Sequence, residues 1–163
     1  SEPVNLCQLA AQLLDERRDD MRARGVELAL PGEVLLSCDR DGLSVVLRNL
    51  LDNALKFSRH TAAPTITIGG QQTATEHILW IRDNGIGFDA GQAEKLFGLF
   101  ERLHSPGEYE GTGVGLAIVK LVIEKHGGRV WAESTVGQGS TFYLAFPNSK
   151  EAIGFQPSVK TPG

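Results

Sequence analysis

Asp39-Arg40-Asp41-Gly42-Leu43-Ser44-Val45-Val46-Leu47-Arg48-Asn49-Leu50-Leu51-Asp52-Asn53-Ala54-Leu55-Lys56-Phe57 is the stretch on which the reading turns. Leu43, Val46, Leu47, Leu50, Leu51, Ala54 and Phe57 recur at i, i+3, i+4, i+7, i+8, i+11 and i+14, the spacing of one apolar helix face. Asp39 stands where an N-cap belongs, and Asp41 falls in the first turn, where a negative charge suits the helix dipole. Asn49, Asn53 and Lys56 follow at i, i+4 and i+7, within about 60° of one another and off the apolar face. Phe57 lies at the boundary between the two faces. A solvated face would tolerate these residues, but asparagine is a poor choice for a helix interior. Two of them one turn apart suggest a task.

The remaining elements are read outward from this helix. Upstream, Asn5 caps a first helix that runs to about Ala23 and stops at Gly25. Residues 26–30 alternate as a short strand, Pro31-Gly32 marks a turn, and residues 34–38 read as the returning strand. Downstream, residues 65–68 and 77–82 form a hairpin through residues 69–76. Residues 92–100 are weakly helical, and residues 105–113 are polar and glycine-rich. Residues 116–125 form another helix, closed by Lys125, His126 and Gly127-Gly128. Residues 129–133 and 140–146 are the last strands, joined through Gly137-Gln138-Gly139. Strands arriving in pairs between helices predict an α+β fold. Its form is a two-layer sandwich, with one mostly antiparallel mixed sheet and about three helices on one face. A doubly wound parallel sheet does not suit this order. The domain is read as residues 1–147, and residues 148–163, where periodicity stops, as a linker or tail.

With 163 residues, the chain suits one domain. Hydrophobic residues at 41% and charged residues at 22% allow a core and exclude compositional disorder. A net charge of −4 argues against non-specific nucleic-acid binding. Cys7 and Cys38 are too few for a disulfide framework and lack metal-ligand spacing, which favours a reducing compartment. Apolar runs are too short for a signal peptide or membrane span, so the expected location is cytoplasmic, whether or not the parent protein is anchored. Glycine is the outlier, at 19 of 163 residues against a typical ~7%, clustered where turns or close ligand approach are wanted.

Two of those clusters carry chemistry. Asp83-Asn84-Gly85-Ile86-Gly87 follows an apolar strand, and Gly111-Thr112-Gly113-Val114-Gly115-Leu116 opens a helix, whose N-terminal NH groups suit phosphate. Neither is a dinucleotide fingerprint or a Walker A loop, since no βαβ unit surrounds them and no Gly-Lys-Ser/Thr follows.

Taken in order, these elements resemble the ATP-binding catalytic domain of sensor histidine kinases. That domain has the Bergerat-type fold shared with gyrase, a heat-shock chaperone and mismatch-repair proteins. Residues 48–57 are similar to the N box, Asp83 to Phe88 to the G1 box, residues 96–102 to the F box, Gly111 to Leu116 to the G2 box, and residues 137–142 to the last glycine box. The stretch 102–111 resembles the short lid of phytochrome-like and hybrid kinases. The match spans about residues 4–147.

The resemblance implies ATP and Mg²⁺ as cofactors. Asn53 would be the metal ligand, Asn49 would hold a water in the same shell, and Lys56 would offset phosphate charge. Phe57 would pack on the adenine, and Asp83 would accept from its amino group, favouring ATP over GTP. Gly85, Ile86 and Gly87 would bring backbone to the base, with Thr141 joining through water. Arg102 would contact phosphate, as would the cradle of Gly111, Thr112, Gly113, Val114, Gly115 and Leu116, under a lid over residues 90–110.

The implied reaction passes the γ-phosphate to a histidine on a separate dimerisation domain. None of His60, His77, His104 and His126 has the acidic-then-proline context of the family's acceptor, so the acceptor is expected outside this chain. The implied partners are the dimerisation domain of the same parent kinase and a response-regulator receiver domain. Nucleic acid and membrane are not among them, and the isolated domain is expected to be monomeric. Two alternatives share the site. A hydrolytic switch would use a glutamate base where Asn49 stands, and an anti-sigma-type serine kinase would share the fold.

Overall fold

The structure, a computed structural model, describes residues 2–98 and 115–148. In chain order its elements are β1 (Glu2–Asn5), α1 (Leu6–Asp15), α2 (Arg18–Arg24), β2 (Glu27–Ala29), β3 (Leu35–Cys38), α3 (Arg40–Phe57), β4 (Thr65–Gln72), β5 (Glu76–Asp83), a 3-10 turn (Ala90–Gln92), α4 (Ala93–Phe97), α5 (Gly115–Lys125), β6 (Arg129–Thr135) and β7 (Gly139–Pro147). A five-stranded sheet runs β2-β4-β5-β7-β6, and β1 and β3 form a separate two-stranded ribbon. Only β2 and β4 are parallel within the five-stranded sheet, so the mostly antiparallel mixed sheet is as expected.

The apolar stripe of α3 makes the core. Leu43, Val46, Leu47, Leu50, Leu51, Ala54 and Phe57 are all buried, against Ile66, Ile68, Leu79, Ile81, Phe142 and Leu144 from the sheet. In β5 the period-two alternation puts His77, Leu79, Ile81 and Asp83 on the helix-covered face. Leu9, Leu13 and Leu14 of α1 and Leu116, Val119 and Ile123 of α5 complete the layer.

Several expectations need correction. The single helix over residues 5–23 is two, because Asp15 to Asp20 offer no apolar side chain to hold a continuous helix on the core. Arg17 sits in the break at φ −114 and ψ 13; its Nη1 donates to the Leu13 carbonyl at 2.9 Å and its Nε to Asp52 on α3 at 2.6 Å. Asn5 does cap α1, accepting from the Gln8 amide at 3.0 Å, but the four residues before that helix form β1, which the sequence reading left unassigned. The pair 26–30 and 34–38 is not a hairpin: β2 joins β4 in parallel, while β3 turns back onto β1. The β4–β5 hairpin has a three-residue loop, so β4 runs on to Gln72 and β5 begins one residue early, at Glu76. Asp39 occupies the N-cap position of α3 without capping it; its Oδ2 lies 3.4 Å from His126 Nε2 at the end of α5. The weak helix keeps only Ala93–Phe97, because Gly98 turns extended at φ −92 and ψ 121.

Burial makes one pH dependence. His77 is 2% exposed, its Nδ1 finds no partner among the described residues, and desolvation lowers its pKa from 6.5. The folded state therefore favours the neutral ring. Stability should be full above 6.5 and should fall as the pH drops below it, where the unfolded chain takes up the proton first. Denaturant unfolding across a pH series should show this acid-side slope, and His77→Leu should flatten it.

Candidate functional site

Asp83 ends β5 on the buried face, and its carboxylate is only 2% exposed. Oδ1 accepts from the Gly85 amide at 2.8 Å, while the buried Oδ2 has no partner among the described residues. Burial raises this carboxyl to about 6, against a smaller lowering by the Gly85 N–H. A buried carboxylate oxygen without a donor is costly unless a ligand supplies one.

The loop after Asp83 is held by backbone. A Cβ on Gly85 would stand 2.3 Å from the Phe57 carbonyl oxygen, and the Ile86 amide donates to that same oxygen at 3.0 Å. Gly87, at φ +68, would bring a Cβ within 2.2 Å of the Thr135 carbonyl, and the Gly137 amide donates to the Ile86 carbonyl at 2.7 Å. Besides the approach to a base expected of them, these glycines clear space for the end of α3 and for the β6–β7 turn. Asn84 is structural as well, accepting from the Thr65 amide at 2.8 Å and donating to the Ala63 carbonyl at 2.9 Å. Ile86 is left 58% exposed at the tip of the loop.

The polar strip of α3 faces this loop and the start of α5. Asn53 is 4% exposed, and its amide nitrogen is buried without a partner among the described residues. Asn49 donates from Nδ2 to the Val45 carbonyl at 2.8 Å, which turns its Oδ1 towards Gly115. That contact is close enough that a Cβ on Gly115 would meet the oxygen at 2.8 Å. The first described turn of α5, at Gly115, therefore abuts the strip. Lys56 is half-buried in the last turn of α3.

Three assignments move. Phe57, expected on the adenine, belongs to the core: its ring centroid lies 6.4 Å from Phe88 and 6.5 Å from Phe142, and Phe97 meets Phe142 edge-on at 6.0 Å. Leu116 has its side chain fully buried in that core, so what it offers a cradle is backbone alone. Thr141 is on the wrong face. It pairs with Arg82, whose Nε donates to its Oγ1 at 3.1 Å, while Ser140 is the cross-strand partner of Asp83. Cross-strand partners share a face, so Ser140, 2% exposed, stands beside the carboxylate. Strand parity counted inward from Phe142 places Ser140, and not the expected Thr141, on the face of Asp83. Arg102, Gly111, Thr112, Gly113 and Val114 lie outside the described residues, as do His104 and most of the lid.

Residues 38–150 match the family model described as histidine kinase-, DNA gyrase B- and HSP90-like ATPase, and the chain belongs to that family of ATP-binding domains. Among relatives, the chain is 38% identical over 141 residues to the methanogenesis regulatory histidine kinase FilI of Methanothrix harundinacea, covering 86% of this chain and 16% of that protein. It is 48% identical over 105 residues to cyanobacterial phytochrome A of Nostoc, covering 64% of this chain and 14% of that protein. The chain thus spans a small part of the length of these relatives. The nucleotide-free catalytic domain of histidine kinase ThkA shares the fold at a TM-score of 0.77 and 24% identity, covering 91% of this chain and 96% of that one. ThkA is also similar in its complex with the response regulator TrrA, at a TM-score of 0.73 and 22% identity, covering 91% of this chain and 42% of that one.

Asp83→Asn should act in opposite directions on folding and binding. A carboxyl raised to about 6 makes folding less favourable as the pH rises from 3.8 through that value, so the amide should raise the melting temperature of the nucleotide-free domain at neutral pH. It should also lose about 1.5–3 kcal/mol of ATP affinity, the worth of a hydrogen bond to a charged group. In the unmutated domain, ATP affinity measured by calorimetry should weaken as the pH falls through about 6.

Proposed function

We propose that the domain binds Mg²⁺–ATP and passes the γ-phosphate to a histidine on a separate dimerisation domain of its parent kinase, from which a response-regulator receiver domain takes it. The observation that carries this reading is the buried Asp83 Oδ2, an acceptor without a donor among the described residues, together with the unpartnered Asn53 Nδ2, a donor that a phosphate oxygen satisfies. Both lie beside the loop and helix start that the family uses for nucleotide. Asp83 holds the adenine amino group, which guanine replaces with a carbonyl that a carboxylate repels. Asn53 turns its amide oxygen to the metal, and Asn49 orients a water from its place under Gly115. Lys56 and the amides at the start of α5 meet the phosphates. Mg²⁺ supplies charge neutralisation on the phosphate oxygens. A single protein ligand suits an ion that keeps several waters and takes phosphate for the rest. Residues 1–147 act as this catalytic unit, with residues 148–163 as a linker or tail. No helix of the described residues is long and apolar enough to cross a membrane, which agrees with a domain working on the cytoplasmic side, where ATP is supplied.

The acceptor side favours transfer over hydrolysis. Where a hydrolytic switch places a glutamate base, this chain has Asn49, an amide that takes no proton at neutral pH. The nearby carboxylate, Asp52, is bound to Arg17 at 2.6 Å. The domain incubated with radiolabelled ATP and the parent's dimerisation domain should yield an acid-labile, base-stable phosphoprotein. Release of inorganic phosphate without protein labelling would instead mark a hydrolytic switch, and an acid-stable label would mark a serine kinase. Asn53→Ala should abolish the Mg²⁺-dependent part of ATP affinity in calorimetry and leave the melting temperature unchanged or higher, since it deletes an unpartnered buried amide.

A further inference from the structure

Ser134, on β6, belongs to no nucleotide box, yet its hydroxyl is fully committed. Its Oγ accepts from the Phe88 amide at 2.7 Å, where the loop after Asp83 ends, and donates to the Gly139 carbonyl at 2.9 Å, where β7 begins. A third neighbour, Ser140 Oγ, lies 3.0 Å away. A hydroxyl has one proton. With that of Ser134 placed on Gly139, the contact with Ser140 is made by the Ser140 proton, so Ser140 is left presenting lone pairs alone. Ser140 is the cross-strand partner of Asp83, on the same face, and Asp83 Oδ2 is an acceptor without a donor among the described residues.

We infer that Ser134 is a positioning residue that sets nucleotide specificity by fixing the proton order of Ser140. Two acceptors, Asp83 and Ser140, then stand side by side and demand a donor, which the exocyclic amine of adenine or a water bound to it supplies. The carbonyl of guanine meets lone pairs at both. The same hydroxyl ties the loop carrying Gly85 and Gly87 to the β6–β7 turn, alongside the Gly137 amide to Ile86 carbonyl bond. Loop position and hydroxyl polarity are thus held by one atom. Without Ser134, the Ser140 hydroxyl is free to rotate and donate, and guanine gains a partner.

This inference rests on the reading of Asp83 as the adenine acceptor, and the test separates the two. Affinities of non-hydrolysable Mg²⁺–ATP and Mg²⁺–GTP analogues are measured by calorimetry for the unmutated domain, Ser134→Ala, Ser134→Thr and Asp83→Asn. Ser134→Ala should lower the ATP-over-GTP ratio by about tenfold, the scale of one hydrogen-bond partner gained or lost, and Ser134→Thr, which keeps the hydroxyl, should restore it. Loss of stability alone cannot move that ratio, because both nucleotides titrate the same folded molecules. An unchanged ratio in Ser134→Ala, with ATP binding lost in Asp83→Asn, overturns the role of Ser134 and leaves the site reading standing. Unchanged ATP binding in Asp83→Asn overturns both. Should Ser134→Ala not fold, Ser140→Ala decides by the same ratio: a lowered ratio supports the acceptor role of Ser140 that Ser134 imposes, and an unchanged one overturns it.

Discussion

The carboxylate of Asp83, closed off from water at the end of the central strand β5, is the constraint to which the surrounding structure answers. A charge so placed is unfavourable, and only one of its oxygens is compensated within the described residues, by the Gly85 amide. To bring that amide back onto Oδ1 the chain must reverse at once after the strand. The reversal is possible because Gly85 can lie against the Phe57 carbonyl and Gly87 can take a positive φ against Thr135. Pre-forming half of a charged group's hydrogen bonds and leaving the other half for a ligand is how a binding site stays specific, at the expense of stability in its empty state.

The helix α3 serves both sides of this arrangement. Its apolar stripe holds the core, and its last carbonyl at Phe57 receives the Ile86 amide, so the polar strip with Asn49 and Asn53 is fixed relative to Asp83 by the packing that stabilises the fold. The site therefore inherits the rigidity of the core. The same helix explains why so much was legible from sequence: an amphipathic stretch with its polar residues one turn apart records both its buried face and its functional face in one spacing. The α+β class, the hairpin of β4 and β5, and the strand pair around the last glycine turn were legible for a similar reason, since strand alternation and turn residues are local signals.

What was not legible is what depends on partners distant in the chain. The break between α1 and α2 is held by an arginine that reaches Asp52, thirty-five residues on. That β3 pairs with β1 rather than β2 is decided by β4, which takes β2 in parallel. The structural demand on Gly85 and Gly87 is invisible in the sequence because the atoms they avoid, on Phe57 and Thr135, are remote in the chain. Thr141 and Ser140 differ by a single residue, and in a strand that is the whole difference between the two faces of a sheet. The motif drew attention to the right turn, and only the register with Asp83 and Arg82 shows which hydroxyl enters the site.

Arg17 links this last theme to chemistry. Its guanidinium closes the end of α1 through the Leu13 carbonyl and binds Asp52 on the helix that bears the site. The pairing raises the pKa of Arg17 through its hydrogen bond to Asp52. Asp52 is one residue from Asn53, and a helix turns each neighbour by about 100°, so its carboxylate points away from the amide strip. Held there by a cation, it lacks the direction of a general base acting on that strip. The tie that breaks the first helix thus also holds a carboxylate away from the amide strip, where Asn49 and Asn53 offer no group that takes a proton at neutral pH. Such a strip suits the proposed phosphoryl transfer, which asks for positioning and charge stabilisation more than for a base.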